Sequence, residues 1–236
     1  NFSQSFNGLG SLSATFFVGQ FLFNGTESGG NIVIPYTVLG ILVLSIAVVF
    51  SRVNLPEIRH HETEEDRTRG TRINKLFRHH PAFVFGLFAL LAYEIAEISI
   101  NSYFINYVTA KGWMTDNVAS IVLTVALALF MVGRFTGSWI MRKVRAEHAL
   151  LFCAAGSVLC IGVVMLNLGR VSMVALICNY AFEAIMFPTI FSLALRHLGN
   201  LTKSASSLLM MTPIGGCGFL LMGIIADATH MMSMPF

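Results

Sequence analysis

The sequence is poor in charged residues, and this deficit excludes an ordinary soluble domain of its length. Asp, Glu, Lys and Arg make up 11% of the 236 residues, whereas a soluble domain carries about 25%. Hydrophobic residues reach 55%. A surface exposed to water needs more polar side chains than this chain can supply. We therefore expect most of its surface to lie in an apolar medium.

Cysteine is scarce, and its spacing excludes the usual redox and metal motifs. All four cysteines lie inside apolar runs, without a C-x-x-C pair. Cys153 and Cys160 are two helical turns apart on one predicted helix, too far for a disulfide. Histidine pairs at 60–61 and 79–80 lack the spacing of zinc ligands. The prediction is small packing cysteines, with no metal and no cofactor.

The apolar residues form long runs. A helix that crosses a bilayer needs about 20 mostly apolar residues, and only helices or closed barrels satisfy the backbone in lipid. The short alternating segments typical of a barrel do not occur. The predicted fold class is all-α, a polytopic membrane protein with seven transmembrane helices. The runs are about 3–23, 32–50, 82–108, 117–141, 149–168, 172–195 and 204–226.

Positive charge divides the connecting loops into two groups. Twelve of the 15 Lys and Arg residues fall in the loops at 51–81, 142–148 and 196–203. The alternate loops hold only Lys111 and Arg170. Because Lys and Arg mark the cytoplasmic side, the first run is predicted to cross outward and the long charged loop to be cytoplasmic. The sequence starts and stops close to apolar runs, so we expect a fragment of a longer protein.

Ionisable residues inside the runs are the first candidates for function, because they are costly in lipid and often mark a solute pathway. Glu94, Glu97 and Asn101 share one helix face, at spacing i, i+3 and i+7. Asn106 belongs to a second polar stripe on the same helix. Desolvation and a like charge both favour a neutral carboxyl group. One of the two glutamates is therefore predicted to carry a proton near neutral pH.

A second run carries a matching pair. Asn179 and Glu183 share a face at spacing i, i+4. The two helices together predict one polar cavity between them. Carboxylates and carboxamides suit sugar hydroxyls, and an aromatic side chain such as Phe187 can pack on a pyranose ring.

Prolines and one arginine inside the runs suggest structural or gating roles. Pro188 and Pro213 interrupt apolar runs, where other groups must bond the freed carbonyls. Each break is either a fixed kink or a hinge. For Arg134, near the cytoplasmic end of its run, snorkelling or an interhelix gate contact is expected rather than ligand binding.

Several local motifs resemble one transporter family. The segment "GRFTGSWIMRKV", which contains Gly133 and Gly137, resembles the loop motif between helices eight and nine of the major facilitator superfamily. The segment "IMFPTIFSLALRHLGNLTKSASSLLMM" resembles helices ten and eleven of its fucose/glucose–galactose:proton symporter family. Residues 1–11 and 96–107 resemble helices five and seven. The resemblance covers nearly the whole chain in the same order.

The resemblance implies a secondary active transporter that carries a monosaccharide by proton symport and alternating access. Residues 1–52 would form the last two helices of an N-terminal six-helix bundle, 53–80 a central cytoplasmic loop, and 81–236 the first five helices of a C-terminal bundle. The implied partners are a sugar such as fucose, galactose or glucose, the coupling proton and the lipid bilayer, without nucleic acid. A monomer in a bacterial cytoplasmic membrane is expected.

Few site residues transfer through the resemblance. Gln4 matches a glutamine that faces the sugar cavity, and Glu97 stands where the family carries Glu or Gln. Phe187 replaces a tyrosine of the fucose carriers, while Glu94 and Glu183 depart from the family pattern. The carboxylates credited with proton coupling in the fucose symporters lie on helices one and four, which this chain lacks.

Two other functions remain open from the sequence. An enzyme acting on a lipid-linked sugar would need a metal or nucleophile cluster near one membrane face, and none is evident, so the prediction is not an enzyme. A membrane sugar receptor would bind a sugar without transporting it.

Overall fold

The computed structural model describes residues 9–17, 33–53, 74, 76–141 and 143–229. Within these ranges the regular elements are α-helices and short 3-10 segments. The 3-10 segments are Gly199–Leu201 and Thr212–Gly218. The main helices are α1 (residues 9–17), α2 (Val33–Arg52), α3 (Pro81–Ala110), α4 (Asp116–Ile140), α5 (Ala146–Met165), α6 (Arg170–Glu183), α7 (Met186–Ala194), α8 (Thr202–Leu209) and α9 (Phe219–Thr229).

Five helical stretches in the described residues are long and apolar enough to cross a membrane. They match the last five predicted runs. The second run forms α2, whose shorter apolar portion is Tyr36–Arg52, and the first run is described only at residues 9–17. The all-α membrane fold is therefore confirmed. The five stretches are Pro81–Ala110, Asp116–Gly137, Ala146–Met165, Arg170–Ala194 and Gly199–Thr229.

The outward surfaces of these helices are apolar. All described side chains of α2 are exposed. On α5, Phe152, Val158 and Leu159 are more than 70% exposed. Large apolar side chains in such continuous exposed surfaces need a non-aqueous neighbour. Such faces fit contact with lipid or with another membrane helix, as the low content of charged residues predicts.

Helix α3 organises the packing. It contacts α4, α7, α9 and the 3-10 segment Thr212–Gly218, while α6 packs on both α4 and α5. Phe104 and Tyr107 of α3 lie in one buried apolar cluster with residues of α4 and α6, and Leu12 of α1 packs against that cluster. The first helix is thereby placed against the later helices, where polar side chains from both can meet.

At the helix break near Pro213, a neighbouring hydroxyl bonds the main-chain carbonyl that the proline cannot bond. A proline has no N–H, so it leaves unbonded the carbonyl four residues earlier, here that of Leu209. The Thr212 hydroxyl donates to this carbonyl at 2.8 Å. The chain adopts a 3-10 segment here before continuing as α9. The predicted break is therefore present, and its movement as a hinge stays a prediction.

Two glycines let α4 closely approach the end of α6 and its junction with α7. A Cβ atom at Gly133 would lie 2.9 Å from the Cβ of Ala184, and one at Gly137 would overlap the Ile185 side chain. Small residues at helix contacts permit this spacing in membranes. These glycines, identified from the loop motif, therefore occupy a tight helix contact.

Replacement of Gly137 by leucine is expected to lower the melting temperature of the intact purified protein, because no space exists beside Ile185. Overpacking of this kind costs about 1–3 kcal/mol. Size-exclusion chromatography after stepwise heating measures the effect. Gly40→Leu is the matched control, since a Cβ there meets nothing within 4 Å. An equal loss in both variants would contradict the packing argument.

Candidate functional site

A polar cavity of 320 Å³ lies between α1, α3 and α4. We call it the central cavity. Its polar lining consists of Ser11 and Thr15 from α1, Glu97 and Asn101 from α3, and Arg134 from α4. The cavity brings together two predicted binding residues and adds two hydroxyls that the sequence analysis missed. Their spacing of i, i+4 on the first run was the available signal.

The helix geometry of α3 explains why two of the predicted residues reach this cavity. Glu97 and Asn101 are four positions apart and so lie on one face. The Oδ1 atom of Asn101 is buried and has no hydrogen-bond partner among the described residues. A buried acceptor without a partner is rare in folded proteins and makes Asn101 a candidate for a functional role. Glu94 is buried as well, at 8% exposure, but it is not part of this wall.

Arg134 occupies a different position from the one expected. It is 7% exposed, and its guanidinium carbon lies 4.5 Å from the ring centre of Phe130. The side chain therefore does not snorkel to the membrane surface. Its Nε atom donates to the main-chain carbonyl of Ala184 at 3.3 Å, between α6 and α7. The gating role of Arg134 stays a prediction. Arg134 also lines the central cavity, where the sequence analysis did not expect it.

The proline of α7 explains why Arg134 is held there. Pro188 cannot bond the carbonyl of Ala184, four residues earlier, and α6 ends at Glu183. The carbonyl of Ala184 takes the Arg134 donor instead, and the carbonyl of Glu183 accepts from the Tyr93 hydroxyl at 3.0 Å. Side chains of α3 and α4 thus supply hydrogen bonds to the main-chain carbonyls at the break between α6 and α7.

A second cavity, of 560 Å³, lies among α3, α5, α6, α9 and the 3-10 segment before it. We call it the Glu183 cavity. Its polar lining includes Glu183, Ser99 and Ser157, and the rest of its wall is mainly apolar. The Ser157 hydroxyl donates to Asn179 Oδ1 at 2.6 Å, and Asn179 Nδ2 donates to Glu183 Oε1 at 2.7 Å. These three side chains form a bonded chain within the membrane region.

The expectation of one polar cavity shared by both carboxylate pairs was wrong. Glu97 and Asn101 line the central cavity, whereas Glu183 lines the other one. Asn179 is fully buried and bonded rather than open. The prediction that the two residues of each pair share a helix face was correct. Which cavity each face borders depends on how α3 and α6 pack against their neighbours.

Two further predicted binding residues within the described ranges, Phe187 and Asn106, do not line the central cavity. Phe187 is 8% exposed and stacks on Phe191, with ring centres 6.1 Å apart. Asn106 is exposed on α3, and Pro213 is exposed in its 3-10 segment. Gln4 lies outside the described residues. Their roles in transport stay predictions.

The sequence profile of the Major Facilitator Superfamily matches residues 1–225. The chain belongs to the Major Facilitator Superfamily. The superfamily inferred from the local motifs is therefore confirmed. Within the superfamily, the chain is similar to the glucose/galactose transporter of Brucella abortus, at 30% identity over 241 residues, covering 96% of this chain and 56% of that relative.

Two further proteins are similar to this chain. The L-fucose-proton symporter of Escherichia coli K12 is 32% identical over 206 residues, covering 82% of this chain and 45% of that relative. The crystal structure of the Major Facilitator Superfamily transporter FucP in the outward conformation superposes with a TM-score of 0.72 at 25% identity, covering 98% of this chain and 62% of that one. The chain spans about half the length of the curated relatives it matches.

Proposed function

We propose that the protein is a secondary active transporter that carries a monosaccharide across the cytoplasmic membrane by proton symport with alternating access. The observation that carries the proposal is the central cavity, where polar side chains of α1 meet Glu97, Asn101 and Arg134. The names of similar proteins agree, since they include a glucose/galactose transporter and an L-fucose-proton symporter.

The chemistry of the central cavity suits a sugar. Each sugar hydroxyl donates one hydrogen bond and accepts others. Glu97 accepts, Arg134 donates, and Asn101 and Ser11 each do both. Thr15 can accept, because its hydroxyl already donates to the carbonyl of Ser11. The volume of 320 Å³ is at the lower end of ligand pockets, which begin at about 300 Å³.

The position of the cavity suits alternating access. We place residues 1–52 in an N-terminal bundle, 81–236 in a C-terminal bundle and 53–80 in the cytoplasmic loop between them. The central cavity then lies between the two bundles, because Ser11 and Thr15 come from the first and Glu97 from the second. Rocking of one bundle against the other opens such a site to each side in turn. We propose that a single copy in a bacterial cytoplasmic membrane performs this cycle.

Uptake into proteoliposomes tests this function. The intact protein is reconstituted and given labelled fucose, galactose, glucose or N-acetylglucosamine, with and without an imposed inward proton gradient. The expected result is accumulation of one sugar that a protonophore abolishes. Empty liposomes are the control.

Other outcomes would reject parts of the proposal. Saturable sugar binding without uptake by folded protein would indicate a receptor. Uptake that ignores the proton gradient would remove proton symport and leave the sugar assignment. Chemical conversion of a lipid-linked sugar would indicate an enzyme.

A further inference from the structure

Glu183 is a buried carboxylate with one oxygen left unused. The residue is 3% exposed, and Asn179 donates to its Oε1 atom. Its Oε2 atom has no hydrogen-bond partner among the described residues, and Glu183 forms no ion pair with any of them. In the same cavity, Ser99 Oγ is also buried without a partner in that part of the chain. Two residues that each carry a buried, unpaired oxygen therefore border one largely apolar space.

An ionised carboxylate is expensive in this setting. Removing a charge from water costs several kcal/mol unless a counter-charge and hydrogen bonds replace the solvent. Asn179 supplies one hydrogen bond. A neutral carboxylic acid avoids the desolvation cost, and its O–H becomes a donor. A water molecule entering the cavity can accept that hydrogen bond.

Charged and titratable groups on the packed elements also bear on Glu183. The cavity wall from α9 and the preceding 3-10 segment contains none, and neither does α7. Glu97 lies near Glu183 and would carry a like charge. Among the described residues, the cation beside the main chain of Glu183 is Arg134, which donates to the carbonyl of Ala184. Among the described residues, these groups are Tyr93 and Glu97 from α3, Arg134 from α4, Cys160 from α5 and Tyr180 from α6.

We propose that Glu183 is a proton-binding site within the membrane, separate from the central cavity, and that Asn179 and Ser157 position its carboxyl group. The inference rests on the proposed proton symport and names a second place where a proton is held. On binding, the proton adds to Oε2 and forms one O–H bond. On release, that bond breaks and the proton passes to water in the Glu183 cavity.

The position of Glu183 connects this proton to the sugar site. Glu183 is the last residue of α6, and its main-chain carbonyl is bonded by Tyr93 of α3. The next carbonyl, that of Ala184, is bonded by Arg134, which lines the central cavity. A change of charge on the Glu183 side chain therefore acts at the backbone break that holds a residue of the central cavity.

Infrared difference spectroscopy tests the proton directly. The intact protein in liposomes is stepped between acidic and alkaline buffers, and the carbonyl stretch of protonated carboxylic acids is recorded. Glu183→Gln is expected to lose one component of this band, since glutamine keeps the shape of the neutral acid without a titrating proton. Glu147→Gln is the matched control, because Glu147 is an exposed carboxylate paired with Arg196. A band unchanged in Glu183→Gln would overturn the proposal.

Transport assays separate coupling from sugar binding. Glu183→Gln is expected to retain sugar exchange at equal concentrations and to lose accumulation driven by a proton gradient. Accumulation at the wild-type level, or loss of exchange together with accumulation in folded protein, would overturn the proposal. Size-exclusion chromatography establishes folding.

A second variant tests the proposal even if Glu183→Gln does not fold. Ser157→Ala removes the hydroxyl that holds Asn179 and is expected to shift the pH midpoint of the infrared band while exchange continues. An unmoved midpoint would contradict the positioning role. If wild-type uptake ignores the proton gradient, the proposed symport fails, whereas the infrared band still reports whether Glu183 binds a proton.

Discussion

Replacing Glu97 by alanine is expected to raise the sugar concentration for half-maximal uptake by about 10- to 100-fold. Glu97 lines the central cavity beside Asn101, and hydrogen bonds to a charged group contribute about 1.5–3 kcal/mol each. Glu97→Gln is expected to cause a smaller rise, because the amide keeps one acceptor oxygen and loses the charge. Initial uptake rates across a range of sugar concentrations measure both effects.

The control for Glu97 lies on the same helix. Ser102 is exposed, and its hydroxyl bonds the carbonyl of Ile98 within α3. Ser102→Ala should therefore leave the half-maximal concentration unchanged. If Glu97→Ala and Glu97→Gln both transport sugar with wild-type affinity, Glu97 does not contact the sugar.

Replacing Arg134 by glutamine is expected to reduce uptake by about 10- to 100-fold, because an unsatisfied buried acceptor alone costs about 1–3 kcal/mol. Two effects act in the same direction. The shorter side chain no longer reaches the carbonyl of Ala184, which Pro188 leaves unbonded. The central cavity also loses the positive charge that it holds together with Glu97.

Arg134→Lys separates these two effects. Lysine keeps the positive charge but lacks the planar guanidinium group that meets both the carbonyl of Ala184 and the Phe130 ring. We expect uptake between that of the wild type and that of Arg134→Gln. Lys143→Gln is the control, because Lys143 lies over Trp139 near the end of α4, and exposed charges contribute little. Wild-type uptake by Arg134→Gln would remove Arg134 from the mechanism.

Much of the helical fold was predictable because each prediction needed only local information. The run at 82–108 became Pro81–Ala110, and the run at 117–141 became Asp116–Ile140. A bilayer sets the length of an apolar helix, so composition within one window is sufficient. The breaks near Pro188 and Pro213 were also local, since proline removes its own backbone donor.

The sites were predictable only in part. Spacing placed Glu97 with Asn101, and Asn179 with Glu183, on shared helix faces, as the structure has them. Spacing does not show which neighbouring helix each face contacts. The sequence therefore predicted one polar cavity where the structure has two. It left open whether Arg134 snorkels to the membrane surface or contacts another helix, because the carbonyl of Ala184 lies 50 residues away along the chain.

Local patterns along the chain are sufficient to predict a helical membrane protein, the approximate course of its described helices and the residues that share a face on each helix. These properties follow from composition, backbone hydrogen bonding and helical periodicity, which act over a few turns. The packing of distant helices was needed to show that Ser11 and Thr15 join Glu97 in one cavity, and that Glu183 lines another. Contacts between distant segments depend on how whole helix surfaces pack, and no local pattern encodes that arrangement.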